Sequence, residues 1–205
     1  MYRPAANVAD EADARAWVAE IGAMELVSTG PDGYPWATLV PVVWTGDRVL
    51  AHLARANEHV GHLHDQRVLL MASPRQAYVT PSWYAAKREH GRVVPTWNYE
   101  SVQIRGRAGV FDDPDRLRDV VERLTRLHEG PRPEPWAVDD APAAFVAGQL
   151  RGIVGVEILV EDVQAKAKLS QNRSVVDRRT VADGLGDGTP QERLVAERMR
   201  SPLRD

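Results

Sequence analysis

The sequence predicts an α+β fold, a small, mostly antiparallel β-barrel with helices packed on it. Three observations lead there. Short apolar segments separated by turn signals fill the first half of the chain, as in strands joined by hairpins. Amphipathic stretches stand at the front, after the strands and at the end, instead of alternating with strands as in a doubly wound sheet. The chain also carries no GxGxxG, no Walker loop and no internal repeat.

Residues Asp10 to Gly22 read as a short helix, because Ala14, Trp17, Val18 and Ile21 recur on one face and Gly22 can stop it. The segments MELVSTG and WATLVPVVW flank Pro31-Asp32-Gly33 and read as a hairpin. Arg48–Ala54 is a third strand after a Thr45-Gly46-Asp47 turn. Arg67–Ala72 is a fourth; its continuous apolar run predicts burial on both faces. More strand is expected at Tyr78–Thr80 and Pro95–Val110. Asp113 suits a helix N-cap and Pro114 a first turn, and Leu117, Val120, Val121, Leu124 and Leu127 mark the buried face that follows. Gly130–Pro135 is a stiff connector, Asp139–Leu150 a short helix and Gly152–Val160 a returning strand. The tail from Gln171 is predicted to be helical, its last dozen residues fraying. Residues 1–165 then form the barrel with its front and inserted helices, and 166–205 a polar loop and helical tail of the same domain.

Composition removes several classes of function. The apolar share is 43% and no run reaches the roughly 18 residues of a membrane span. The start has acidic residues and no apolar core, unlike a secretory signal, so a cytoplasmic protein is expected. A formal charge of −3 does not suit general nucleic-acid binding. Zero cysteines excludes disulfides, thiolate nucleophiles and cysteine-ligated metals.

Four groups of residues could carry chemistry. The stretch from Ala77 to Tyr99 mixes large rings with polar groups between Pro81 and Pro95, which fits either the wall of a concave site or a hairpin that packs its rings into the core. Within it, Trp97 and Tyr99 could stack on a flat cofactor. Glu58–Asp65 holds His59, His62 and His64; on a helix His59 and His62 lie about 60° apart and share a face, able to bind a metal or to supply one axial ligand, or else to sit solvated in a turn. Arg55 and Asn57 end a strand where an anion could be held. Lys166, Lys168, Ser170, Gln171, Asn172 and Arg173 precede a helix that Ser170 could cap, a basic start that attracts a phosphate or carboxylate.

The motifs MYRP at the start, HLARAN at 52–57, AYVTPSWY at 77–84, VPTWNY at 94–99, DDAP at 139–142 and KLSQNR at 168–173 together resemble the PaiB-type family of FMN-binding negative transcriptional regulators. The resemblance spans Met1 to Leu185 in the family's order. It implies a flavin-reductase-like split β-barrel, homodimeric, with the cofactor at the dimer interface. Two segments depart from the family. Glu58-His59-Val60 stands where a Pro-Gln-Trp-like sequence is usual, and Ala72–Gln76 where Phe-Gln-Gly-Pro-His is usual. A histidine gained beside the cofactor in a chain without cysteine is what haem ligation requires, and one branch of the family, the piperazate synthases, uses haem b to join two nitrogens of L-N5-hydroxyornithine. The resemblance to that branch implies His59 as the iron ligand, with His62 second, and Arg55, Lys168 and Arg173 on the propionates or the carboxylate of the amino-acid substrate. Trp97 and Tyr99 would line the cofactor, and Tyr84, Lys87 or a free histidine would be the base. The alternative implied by the family as a whole is FMN, in a regulator or a reductase, its phosphate on Arg55 and the segment Lys168, Ser170, Gln171, Arg173.

Overall fold

Punctuation in the sequence sets most element boundaries in the computed structural model, which describes residues 1–201. Strand β1 (Val8–Ala9) leads into helix α1 (Glu11–Ile21), whose first turn carries Glu11 and Asp13, where negative charge suits the helix dipole. Gly22 ends it at φ +66°, a left-handed stop that also brings the backbone against the His128 ring. Strands β2 (Ala23–Thr29) and β3 (Pro35–Thr45) follow, their turn fastened by Asp32 Oδ1 accepting from the Tyr34 N–H. Next come β4 (Arg48–Ala54), a 3-10 turn at Glu58–His62, β5 (Arg67–Ala72), β6 (Gln76–Val79), a 3-10 turn at Pro81–Trp83 and the short α2 (Ala86–Glu89). Strand β7 (Thr96–Phe111) precedes α3 (Pro114–Glu129), which Asp113 caps through the Arg116 N–H with Pro114 in the first turn, as the sequence predicts. Helix α4 (Ala143–Arg151), strand β8 (Ile153–Lys168) and helices α5 (Val175–Gly186) and α6 (Pro190–Arg200) complete the described chain. Among the described residues no helix is long and apolar enough to cross a membrane.

The chain divides into two compact units. One comprises Glu11–Ala72 and Val102–Gln164. Its strands run in the order β8-β4-β3-β2-β5-β7, and β7 pairs with β8, so the sheet closes on itself and leaves no free edge between them. Closure brings two backbones very close: a Cβ on Gly106 of β7 would lie 2.2 Å from the Leu159 carbonyl oxygen of β8. The barrel is filled by alternating residues, among them Leu26, Val42, Ala51, Leu70, Ile104 and Ile158. Helices α1 and α3 pack on its outside, α3 through Leu117, Val120 and Leu124.

The expectation that β5 is buried on both faces is corrected here. Val68 and Leu70 point inward, but Met71 is 37% exposed and Leu69 only partly covered. Their register partners Glu25 and Val27 on β2, and beyond these Leu39 and Ala37 on β3, lie on the same outer face, on which Leu39 is 65% exposed. A continuous apolar run cannot distinguish two covered faces from one covered and one exposed.

The other unit comprises Met1–Asp10, Ser73–Ser101 and the residues from Ala165. In it β6 pairs with the start of β7, β1 with the end of β8, and α5 with α6. Glu100 is fully buried and its carboxylate is held by Arg75 at 2.6 Å and Arg198 at 2.7 Å, which fastens α6 to β7. Three helix expectations are refined. The segment 139–150 is a 3-10 turn at Val138–Asp140 and then α4, because Pro142 has no N–H to carry a helix through it. Ser174, not Ser170, caps α5, its hydroxyl accepting from the Asp177 N–H. Most of the last dozen residues do not fray: Thr189 and Glu192 form a capping box and α6 buries Val195, Ala196 and Met199. Residues 202–205 lie outside those described.

Gly106→Ala is expected to destabilise the chain by about 1–3 kcal/mol through overpacking against β8, read as a lower urea midpoint. Gly61→Ala, with open space around its Cβ, serves as the control, and equal midpoints for both variants would contradict the close approach.

Candidate functional site

In the barrel unit the sequence-predicted histidines are placed by the 3-10 turn at Glu58–His62, which Asn57 caps by accepting from the His59 N–H at 3.0 Å. This turn carries His59 into the barrel wall, where it is 2% exposed. Its Nε2 lies 2.8 Å from Ser28 Oγ and its Nδ1 2.9 Å from Thr38 Oγ1. A neutral imidazole has one N–H and one acceptor, so one hydroxyl accepts from the ring and the other donates to it. Burial, and then the neighbouring His62, push the His59 pKa down, keeping the ring neutral. Trp36 meets both imidazoles edge-on, at 6.0 Å from His59 and 5.0 Å from His62. His62 and His64 line a separate cavity of about 340 Å³ with Thr29, Gly30 and Gln66. Among the described residues no group of three or more His, Asp or Glu side chains is gathered for a metal ion.

Arg55 is committed to structure. Its Nε donates to the Arg151 carbonyl and its Nη2 to the Ile153 carbonyl, tying the end of β4 to the start of β8, while Nη1 reaches Asp112 at 3.5 Å. Little of that guanidinium is left for a ligand.

In the other unit, one sheet face gathers rings and lysines. Alternation along β7 puts Trp97 and Tyr99 on one side and the buried Asn98 and Glu100 on the other. Tyr78 of β6 is the register partner of Trp97; the two rings lie 6.2 Å apart, and each is 47% exposed. Gln76 accepts from Trp97 Nε1 at 3.1 Å and fixes that ring. Lys166 of β8 is only 6% exposed, donates to the Tyr2 carbonyl and stands 5.1 Å from the Tyr99 ring. Two residues on, Lys168 donates to Thr96 Oγ1 and to the Trp97 carbonyl. Burial, then Lys166 and Arg173, lower the Lys168 pKa. Among the described residues Lys166, Lys168 and Arg173 form no ion pair. A cation is normally buried only with its counter-charge, so this face has the character of an anion site.

The remaining predicted residues are distributed around that face. Ser170 sits at φ +63° and its hydroxyl donates to Asn98 Oδ1 at 3.1 Å, so its polar atom serves the fold. Gln171 closes the same bend through the Ala167 carbonyl and the Leu169 N–H. The Arg173 guanidinium lies 5.0 Å over the Tyr84 ring. Tyr84 is 1% exposed, and Lys87 is turned to solvent with its ammonium on Ser82 Oγ; the two candidate bases therefore share no cleft. Both readings of the Ala77–Tyr99 stretch are met in part, since Tyr84 packs inward while Tyr78 and Trp97 stand out from the sheet. Tyr78 was not among the assigned cofactor residues, and Lys166 was named only within the basic run. The two-residue period aligns Lys166 with Lys168 on β8, whereas Tyr78 meets Trp97 only through the register of β6 on β7.

A closed antiparallel barrel with outer helices defines a flavin-reductase-like split-barrel protein. The likeness to solved structures agrees: the conserved hypothetical protein Rv2991 of Mycobacterium tuberculosis matches with a TM-score of 0.62 at 16% identity, covering 85% of this chain and 94% of that one. The "FAD and Heme binding protein" of Mycobacterium smegmatis matches with a TM-score of 0.60 at 14% identity, covering 79% and 73%. At such identities the likeness shows the fold alone. The chain belongs to the PaiB-type FMN-binding family: residues 1–162 match the family described as "Putative FMN-binding domain". It is 33% identical over 184 residues to the "Protease synthase and sporulation protein PAI 2" of Bacillus subtilis strain 168, covering 87% of this chain and 86% of that protein. An uncharacterized protein of Aspergillus fumigatus is 35% identical over 149 residues, 65% of this chain; the match spans 57% of that longer relative.

His59 gives a pH dependence with a definite sign. Its folded pKa lies below the ordinary value of about 6.5, so below that pH the unfolded chain takes up a proton that the folded chain refuses. Stability should be full above about pH 6.5 and fall on acidification until the pH drops below the folded pKa. His52, also lowered by burial, adds to the fall. His59→Gln should flatten the dependence of melting temperature on pH between about 7 and 5; an unchanged slope would refute the buried neutral ring.

Proposed function

We propose that this protein binds a phosphorylated flavin, FMN, on the ring-and-lysine face of β6, β7 and β8. The observation that carries the proposal is a lysine buried to 6% exposure, flanked by Lys168 and Arg173 without an ion-pair partner among the described residues, beside an exposed pair of aromatic rings. A phosphate would supply the missing negative charge to Lys166, Lys168 and Arg173. Tyr78 and Trp97 would cover one side of a flat ring, and Gln76 holds Trp97 in place for it. Bound flavin supplies hydride and single-electron transfer; the chain's own residues bind it, orient it and exclude water from one of its faces. Family membership supports a flavin over other flat anions.

The haem-dependent cyclisation needs an imidazole nitrogen free to reach iron. His59 has both nitrogens on hydroxyls inside the barrel wall, so that reading would require the ring to leave Ser28 or Thr38. This favours the flavin. We further propose a homodimer formed through the outer barrel face, on the support of exposed Leu39 and Met71, which flank Glu25, beside Val27 and Leu69.

Flavin titration by fluorescence tests the first proposal. FMN should bind far more tightly than riboflavin, and Lys166→Gln or Arg173→Gln should weaken FMN about ten- to a hundredfold, the loss of one charge-assisted hydrogen bond, with little effect on riboflavin. Equal affinity for the two flavins, or an intense Soret band in the protein as isolated, would overturn it. Leu39→Glu should convert a dimer to a monomer in sedimentation; an unaltered sedimentation coefficient would count against the proposed interface.

A further inference from the structure

We infer that Lys168 is a reactive amine that captures aldehydes bearing an anionic group as imines. The inference uses the face described above and rests on its capacity for anions, but it requires no bound flavin.

The sequence supplies one argument. Of the 26 Lys and Arg residues, only Lys87, Lys166 and Lys168 are lysines. Arginine serves this chain almost everywhere as its cation, yet two of three lysines stand two residues apart on one strand, β8. Arginine stays protonated in proteins, whereas lysine can release a proton and become a nucleophile.

Geometry supplies the second argument. The Lys168 nitrogen makes two hydrogen bonds, to Thr96 Oγ1 and to the Trp97 carbonyl. A neutral amine has two N–H groups, which meet both acceptors and hold the nitrogen fixed. The remaining position, a third N–H in the ammonium and a lone pair in the amine, has no protein acceptor among the described residues. The charged groups acting on this nitrogen are Lys166 and Arg173, and with burial they disfavour its ammonium form. A lysine desolvated next to another cation is a recognised way to activate an amine. The same two cations would hold the anionic group of the incoming aldehyde.

The step is balanced without an oxidant. The neutral Nζ adds to the aldehyde carbon, forming a C–N bond and a carbinolamine. The carbonyl oxygen then leaves as water with the two amine protons, and a C=N bond remains.

Pyridoxal 5′-phosphate serves as the probe, an aldehyde with a phosphate. Flavin-free protein is incubated with it, reduced with borohydride and mapped by peptide mass spectrometry. The expected result is one label per chain, on Lys168, at least tenfold faster than on exposed Lys87. Pyridoxal, lacking the phosphate, should label Lys168 at least tenfold more slowly, and Lys168→Arg should remove the label. Mapping of the wild-type chain needs no variant, so a misfolded Lys168→Arg protein would leave the test intact. Labelling shared evenly with Lys87, or equal rates with the two aldehydes, would overturn the inference. A parallel arm adds FMN, which should protect Lys168. Labelling that proceeds unprotected would sink the flavin placement and leave the reactive amine standing, whereas absent labelling would sink the amine and leave the flavin.

Discussion

The structure depends on the pairing of two 16-residue strands, β7 and β8, which closes the barrel. Only a residue without a side chain at Gly106 lets one backbone come so close to the other. Both strands run beyond the barrel unit, and their far ends carry Trp97, Tyr99, Lys166 and Lys168. Alternation on β7 sets Trp97 and Tyr99 opposite the buried Asn98 and Glu100, while along β8 the buried parity changes from Val154, Val156 and Ile158 to Ala165 and Ala167.

Two buried charges in the same unit make an instructive contrast. Glu100 is fully buried and meets two arginines at normal ion-pair distance, so its desolvation is offset within the fold. Lys166 is nearly as buried and meets a carbonyl and two rings, with the cation of Lys168 close by. The first arrangement is complete without a ligand and fastens a helix. The second carries no carboxylate partner among the described residues, so its charge is not offset there as that of Glu100 is.

Much of the fold was legible in the residues. Asp113 and Pro114 announce α3, Gly22 ends α1, and the Pro31-Asp32-Gly33 turn announces the first hairpin, because these signals act over four residues or fewer. The motif resemblance pointed correctly to the family. Less legible were features that depend on a distant partner. The apolar run of β5 gave no sign that Leu69 and Met71 face outward. The histidine cluster gave no sign that His59 would be taken by Ser28 and Thr38, hydroxyls 31 and 21 residues away in sequence.

By itself the sequence determined the element order, the caps and turns, the absence of cysteine chemistry, and the presence of rings and cations in particular segments. Only the tertiary structure decided which of those rings and cations are left unsatisfied. Arg55 found carbonyls and Ser170 found Asn98, while Lys166 and Lys168 have no carboxylate partner among the described residues. The physical reason is that a side chain's availability is what remains after its nearest neighbours have been served, and those neighbours are chosen by strand register and closure rather than by position along the chain.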